Sequence, residues 1–416
     1  MTPVALTPPR PREPDAPAAT YDHAFQRLEA FLPLAGKTYA QKRNFDFGAG
    51  KHNGVSGLSP WLRHRLLLET DVLKGVLARH GFNAAEKFVQ EVFWRGYFKG
   101  WLEHRPEVWK RYRSNLVGQL QALERDANLA KRYDEAVQGQ TGIACFDAWA
   151  EELVHTNYLH NHARMWFASI WIFTLKLPWE LGADFFLRNL LDGDPASNTC
   201  SWRWVGGLHT VGKTYLARPS NIEDYTGGRF QPAGQLAIDA VPLIEPDLGA
   251  RVPLSFDNPD LAGQRVGLLM TVEDCAVHRI DGLPRLHGLF AWNQPIARSL
   301  KPTAPAVDAF GCAAVDQAAQ AAEVHFDLSC TRPEVDEQAA DALSRWAADQ
   351  RLDCILTPKL PQGPTRRAVL SAVSENGLSC VELARDYDQA VWPHAKAGFF
   401  GLKKKIPSVI AELGLL

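Results

Sequence analysis

Residues 190–207 have the sequence LLDGDPASNTCSWRWVGG, which is the most informative stretch in the first half of the chain. It places polar side chains around a Gly-Asp-Pro turn and two tryptophans directly after it: Asp192, Asp194, Asn198, Trp202 and Trp204. Carboxylates this close together are unfavourable unless a cation or a ligand hydrogen compensates them, and Arg164 is an available cation. A capped helix start, with Asp194 at the N-cap before Pro195, explains the same residues without a ligand. On this stretch alone both interpretations stay open.

The surrounding sequence, residues 21–244, has the pattern of helices. Apolar residues recur at helical spacing through four segments, with Pro, Gly and Asp between them: residues 61–77, 84–101, 145–159 and 163–177. Ten of the 13 tryptophans lie between Trp61 and Trp204, which is denser than a core needs and indicates an aromatic ligand, flipped bases or electron transfer. We predict an all-α domain over residues 21–244.

After residue 264 the pattern changes to that of an α/β domain. Short apolar runs predict buried strands at residues 266–270, 324–328, 354–357 and 380–383, and Ala-rich amphipathic segments predict helices at residues 306–322, 334–350 and 365–375. Alternation of this kind predicts a parallel sheet over residues 264–416. The Pro-, Asp- and Gly-containing residues 245–263 are the predicted linker, and the Pro-rich residues 1–20 a disordered lead.

Composition limits the classes of function. The 416 residues are 46% hydrophobic and 22% charged, without an apolar run of bilayer length or a secretory signal, so we expect a cytoplasmic protein without a membrane partner. A net charge of -2 provides no bulk attraction to nucleic acid, so such a role requires a local basic patch. The seven cysteines form no C-x-x-C pair, which predicts reduced thiols and no metal site.

Two further segments place chemically useful side chains on one helix face each. In FVQEVFWRGYF (residues 88–98) that face carries Phe88, Glu91 and Arg95, and in LHNHARMW (residues 159–166) it carries Asn161, Arg164 and Met165. A surface ion pair above a core stripe explains the first segment equally well. Each segment alone is therefore compatible with a purely structural role.

Five blocks together resemble the flavin-binding domain of the photolyase/cryptochrome family, and within it the photolyases that act on cyclobutane pyrimidine dimers. The blocks are NGVSGLSPWL, FVQEVFWRGYF, TGIACFDAWAEEL, YLHNHARMW and LLDGDPASNTCSWRWVGG, in the family's order and spacing over about residues 39–230. The resemblance implies an all-α FAD-binding domain followed by an α/β Rossmann-like parallel-sheet domain. Most members begin with an α/β antenna domain, so we interpret residues 264–416 as that domain moved to the C-terminus.

The moved domain has no clear antenna-pigment signature. No Gly-rich phosphate fingerprint follows residues 266–270, so whether a second antenna chromophore binds, or the domain is purely structural, stays open. Its end, HAKAGFFGLKKKIPSV, resembles the aromatic-basic stretch that closes the antenna domain in relatives. The lysines at 403–405 are by default a solvated helix end, and a DNA or partner contact is the less favoured interpretation.

Matched position by position, the resemblance implies an FAD site. Tyr39 and the SGLS segment are expected at the phosphates, Arg164 and Asp192 beside the isoalloxazine, Asp194 at the flavin or ribose edge, and Asn198 at flavin N5. Photolyases usually carry Asn at the position of Asn198. Val55, in contrast, departs from the family pattern, because a Thr is common at its position. The full implied set is Tyr39, Ser56, Leu58, Ser59, Phe88, Glu91, Arg95, Asn161, Arg164, Asp192, Asp194 and Asn198.

The resemblance also implies a lesion pocket and an electron path. Glu91 and Asn161 correspond to groups that hydrogen-bond a flipped dimer, Met165 to its thioether contact, and Trp94 and Trp204 to its aromatic walls. Trp202 and Trp179 correspond to the first two members of an electron-hopping chain. The third position, near Asp126, has no Trp, and exits through Trp166, Trp171, Tyr133 or Tyr158 stay open. The expected DNA contacts are His162, Arg203, Lys213 and Arg218.

The function implied is light-driven DNA repair by a deoxyribodipyrimidine photo-lyase. Reduced FAD would pass an electron to a flipped dimer in single- or double-stranded UV-damaged DNA, and the cyclobutane ring would split. Asn161 and Met165 favour this lesion over (6-4) photoproducts, whose enzymes carry histidines there. The alternatives are a cryptochrome-type blue-light photoreceptor without repair, and a flavoprotein that binds nucleic acid without light chemistry. We expect a monomer.

Overall fold

The computed structural model describes residues 17–256, 260–334 and 336–415. The predicted disordered lead lies outside the described residues as far as residue 16. The first half is helical, as predicted: α1 (Tyr21–Phe31), α2 (Lys37–Lys42), α3 (Ser59–Arg63), α4 (Glu69–Glu103), α5 (Pro106–Arg125), α6 (Ala127–Val137), α7 (Ala144–Thr156), α8 (Asn161–Ser169), α9 (Trp179–Asn189), α10 (Trp202–Val205) and α11 (Pro219–Tyr225). Shorter turns are the 3₁₀ turn Leu32–Leu34 and the π-helical turns Ile170–Thr174 and Pro195–Cys200.

The second half contains one sheet of five parallel strands in the order β3-β2-β1-β4-β5. The strands are β1 (Val266–Met270), β2 (Leu286–Ala291), β3 (Cys330–Thr331), β4 (Cys354–Pro358) and β5 (Ser379–Leu383). The helices are α12 (Pro305–Phe326), α13 (Ala339–Asp349), α14 (Pro364–Glu375), α15 (Asp386–Val391), α16 (Phe399–Lys403) and α17 (Ile406–Glu412), with 3₁₀ turns at Val277–Arg279 and Trp392–His394. The predicted parallel α/β architecture is confirmed.

Some details of the sequence prediction are wrong. The strand predicted at residues 324–328 is the end of α12, which continues to Phe326 and stops where Asp327 takes the left-handed conformation. Strand β2 was not predicted, because His287 and Gly288 interrupt its apolar run. Likewise, the single helix predicted over residues 61–77 is broken between α3 and α4, where Arg65 has a φ of 50°.

Buried ion pairs and the last helices join the sheet to the helical half. Arg63, at the end of α3, pairs with Glu273, which follows β1, and Arg65 pairs with Asp388 on α15. One hydrophobic core runs through both halves, and a second lies under α13 and α14 on the other side of the sheet. Residues 226–265 contain no helix or strand in their described part, and the linker limits at 245 and 263 stay a prediction. No helix in the described ranges combines the length and apolarity that a membrane crossing requires.

Candidate functional site

A cavity of about 1180 Å³ opens in the helical half, between α2, α4, α8 and the segment after α9. This exceeds the roughly 300–1,000 Å³ typical of small-molecule pockets. Most residues selected from the sequence line it: Tyr39, Ser56, Leu58, Ser59, Phe88, Glu91, Trp94, Arg95, Asn161, His162, Arg164, Met165, Asp192, Asn198, Trp202, Trp204 and Arg218. Four do not: Asp194, Trp179, Arg203 and Lys213.

One wall carries charged groups whose hydrogen-bonding capacity is not used within the protein. Arg164 donates from Nη1 to Asp192 Oδ2 at 2.9 Å and from Nε to the Leu159 carbonyl at 2.8 Å. Asp192 Oδ1 and the Nε and Nη2 atoms of Arg95 are buried and have no hydrogen-bond partner among the described residues. Buried polar atoms are rarely left unpaired, so this wall fits a polar ligand that supplies both donors and acceptors.

Asp194 does not line the cavity but lies behind this wall, and its expected contact with the flavin or ribose edge stays a prediction. It is fully buried and caps the turn Pro195–Cys200 by accepting the N–H groups of Ala196 and Ser197. Its Oδ2 lies 3.7 Å from Arg95 and 3.8 Å from Lys99. Burial alone would raise the pKa of this carboxyl, but Lys99, Arg95 and Arg63 hold it well below its ordinary range. Asp194 therefore stays ionised and compensates the charge of Arg95.

Glu91 lies on the same cavity and is paired with Arg43, a residue that sequence reasoning missed. Burial raises the pKa of Glu91, whereas the Arg43 guanidinium favours the ionised form. The only sequence signal for Arg43 is its spacing of four residues from Tyr39, which also lines the cavity. Arg43 thus holds the carboxyl group of Glu91 in place at the wall, where its oxygens can accept hydrogen bonds.

The aromatic side chains around the cavity form an ordered series. Trp202 lines the cavity, and its ring centroid lies 6.1 Å from that of Trp171, which lies 6.1 Å from that of Tyr133. Trp179 packs on Tyr112 at 5.6 Å, and no ring contact joins it to Trp202 among the described residues. Of the exits left open by the sequence, ring contacts favour Trp171, which neighbours Trp202, followed by Tyr133, which neighbours Trp171.

The expected DNA-contact residues separate into two groups. His162 and Arg218 lie on the cavity, and Lys213 is exposed on the loop that follows Trp204. Arg203, in contrast, is buried at 2% exposure and is paired with Glu245, so its predicted phosphate contact is wrong. Its partner lies 42 residues away in sequence, which local pattern could not reveal.

The helical half contains a polar-walled cavity large enough for a nucleotide cofactor, and it is joined to a parallel α/β domain. Residues 88–244 match the family model described as the FAD binding domain of DNA photolyase. Over these residues the helical half is similar to the photolyase/cryptochrome family, and the match to an FAD-binding domain indicates FAD as the cofactor. The unpartnered atoms of Arg95 and Asp192 are compatible with that cofactor.

Curated proteins and a solved structure are similar over about half of this chain. The chain is 34% identical over 214 residues to a deoxyribodipyrimidine photo-lyase of Thermus thermophilus, a match that covers 51% of this chain and 48% of the relative. It is 31% identical over 249 residues to that of Agrobacterium fabrum, covering 59% and 50%. A solved class III photolyase from Agrobacterium tumefaciens is 29% identical, with a TM-score of 0.42 and coverage of 50% and 43%. The chain thus spans about half the length, or less, of the curated relatives it matches.

Proposed function

We propose that this protein is a deoxyribodipyrimidine photo-lyase, which uses light to split cyclobutane pyrimidine dimers in UV-damaged DNA. One observation carries the proposal: a single cavity is lined by the Arg164, Asp192 and Asn198 wall and also by Glu91 and Trp204. A cofactor on the first wall and a substrate on the second would share this one cavity. The names of the curated relatives support the same activity.

The aromatic walls suit a dinucleotide taken out of the DNA stack. Trp94 and Trp204 line the cavity, and each stacks on a second ring: Trp94 on Phe399 at 3.7 Å between ring centroids and Trp204 on Tyr215 at 5.3 Å. Extruding bases costs a few kcal/mol of lost stacking, and stacking on an aromatic side chain returns about 1–3 kcal/mol per base. These walls therefore offset much of the cost of flipping.

The polar side chains complete the recognition of the flipped bases. Glu91, positioned by Arg43, offers carboxyl oxygens that accept base N–H groups, and Asn161 offers an amide that both donates and accepts. Met165 adds a polarizable thioether contact. Bound FAD supplies light absorption and a one-electron donor. The protein orients the lesion and excludes water, and the splitting itself involves no net redox change.

The test is to follow thymine-dimer reversal under blue light in single-stranded and duplex oligonucleotides, with chemically pre-reduced protein. Glu91→Ala and Trp204→Ala should keep FAD and lose lesion affinity, because one removes a charged hydrogen bond and the other a stacking wall. From about 1.5–3 and 1–3 kcal/mol respectively, we expect losses of roughly 5- to 150-fold. Glu107→Ala, an exposed site on α5, is the matched control and should behave like wild type.

If wild type reverses no dimers in either substrate while its flavin is photoreduced, the repair proposal is refuted. A blue-light photoreceptor would then account for the same cofactor and the same tryptophans.

A further inference from the structure

Residues 395–405, here called the C-terminal lip, lie beside the cavity although they belong to the end of the chain. Phe399 stacks on Trp94 with the ring planes 11° apart, and Tyr97 donates from Oη to the Ala397 carbonyl at 2.7 Å. Trp94 lines the cavity, as does Phe98, one turn along α4. The lip is therefore the continuation of the cavity wall towards the surface.

The lip is anchored to the helical half by defined contacts. Arg105 and Arg251 both donate to the Lys396 carbonyl, at 2.7 and 2.9 Å, and Leu402 is fully buried. His209, on the loop after Trp204, lies 3.0 Å from Tyr97 Oη through its Nε2. The lip and the loop that carries Lys213 are thus joined around the same tyrosine.

The outer face of the lip is aromatic and cationic. Phe400 is 77% exposed, and three lysines are exposed without an acidic partner among the described residues: Lys396, Lys404 and Lys405. Lys403 differs, because it lies 3.5 Å from Glu86. The anchoring guanidiniums of Arg105 and Arg251 add further positive charge. In a chain of net charge -2, this is a local basic surface next to a cavity.

We propose that the C-terminal lip is a DNA-binding surface, in which Lys404 and Lys405 contact phosphates flanking the flipped dinucleotide and Phe400 packs on a neighbouring base. This inference rests on the proposed function, because it requires a nucleic acid at the cavity. When a dinucleotide lies inside the cavity, the DNA backbone on each side of it must cross the edge of the cavity. An acidic protein needs local cations there to hold the phosphates. An exposed aromatic ring beside those cations is the combination that binds nucleic acid by stacking and charge together.

The first experiment measures oligonucleotide affinity by fluorescence anisotropy across a salt series, with and without a thymine dimer. The Lys404→Glu/Lys405→Glu double variant should lose affinity for both DNAs by about tenfold or more at low salt. The slope of log affinity against log salt should become shallower by about 2, since each phosphate contact contributes about 0.9 to the slope. Lys110→Glu/Lys131→Glu carries the same charge change on exposed positions of α5 and α6 and should match wild type.

The second variant separates stacking from charge. Phe400→Ala should weaken binding about fivefold, the equivalent of 1 kcal/mol of stacking, without changing the salt slope. At saturating DNA, both lip variants should split the same number of dimers per absorbed photon as wild type, because the lip binds DNA and does not touch the cofactor.

Three outcomes would overturn the inference. These are wild-type affinity and salt slope in the double lysine variant, equal losses in the α5/α6 control, and impaired splitting at saturation with unchanged affinity. In all three, wild type would still reverse dimers, so the proposed function would survive. Failure of wild type to bind DNA or reverse dimers would remove both.

Discussion

Replacing Glu273 by Gln should lower the free energy of unfolding at pH 7 by about 3 kcal/mol, because Glu273 is the buried anion that joins the sheet to the helices. Both of its oxygens accept from Arg63, at 2.7 and 2.9 Å, and Oε1 also accepts from Thr365 Oγ1 at 2.8 Å. Glu273 is only 4% exposed and Arg63 2%. Solvent therefore screens this pair little.

The magnitude follows from two independent arguments. Burial would raise the pKa of Glu273, but Arg63 and Lys99 lower it from 4.5 to about 2. At about 1.4 kcal/mol per pKa unit, this difference corresponds to about 3 kcal/mol. Removing one partner of a buried ion pair typically costs about 3–5 kcal/mol. We take the lower value, because Asp194 Oδ2 lies 3.6 Å from Arg63 Nε and still compensates part of its charge.

The sign of the pH dependence is fixed by the depressed pKa. The contribution of Glu273 is complete above pH 4.5 and is lost as pH falls towards 2. Urea unfolding followed by tryptophan fluorescence at pH 7, and at steps below pH 5, measures both effects. The control is Glu337→Gln, whose partner Arg345 is solvent-exposed, and which should leave stability unchanged. A loss below about 1 kcal/mol at pH 7, or the same acid profile in Glu273→Gln and wild type, would refute the reasoning.

Two further predictions concern the cofactor and the path of electrons. Arg164→Ala should purify with less FAD, measured by flavin absorbance per protein, because the buried carboxylate of Asp192 at the proposed flavin wall loses its cation. The exposed Arg132→Ala is the control. Full flavin content in Arg164→Ala would contradict the proposed wall. Trp202→Phe and Trp171→Phe should both slow photoreduction by thiol under blue light while sparing dimer splitting by pre-reduced protein. Trp179→Phe should have the smaller effect, and the reverse order would mean that ring contact does not define the path.

Helical spacing in the sequence predicted the side chains that share a cavity wall on one helix. Glu91 and Arg95 lie one turn apart on α4, and Asn161 and Met165 lie one turn apart on α8, so the helical period of about 3.6 residues alone brings each pair to one face. All four line the cavity. The parallel sheet could also be predicted from the sequence, because its β1 and β4 strands are continuous apolar runs.

Charge partners that are distant in sequence could not be predicted in this way. Arg203 looked like a free cation beside Trp204, yet Glu245 folds back to bury it. The local sequence around Asp194 likewise gave no sign of the three cations Lys99, Arg95 and Arg63 that surround its carboxylate. In both cases the burial of a charge depends on tertiary contacts, which a local pattern does not contain.

Two glycines on α4 are the sequence feature that allows the C-terminal lip to pack there, and their role is visible only once the fold is known. Gly96 and Gly100 are one turn apart on α4, and a Cβ on them would lie 3.0 Å from Tyr387 Oη and 2.7 Å from the Cα of Trp392. The 2.7 Å contact with the backbone excludes a larger residue at position 100, so Gly100 lets the turn after α15 lie directly on α4. That close approach brings Phe399 onto the ring of Trp94. A side chain at Gly100 would therefore move the lip away from the cavity, and Trp94 would lose the ring that stacks on it although Gly100 does not line the cavity.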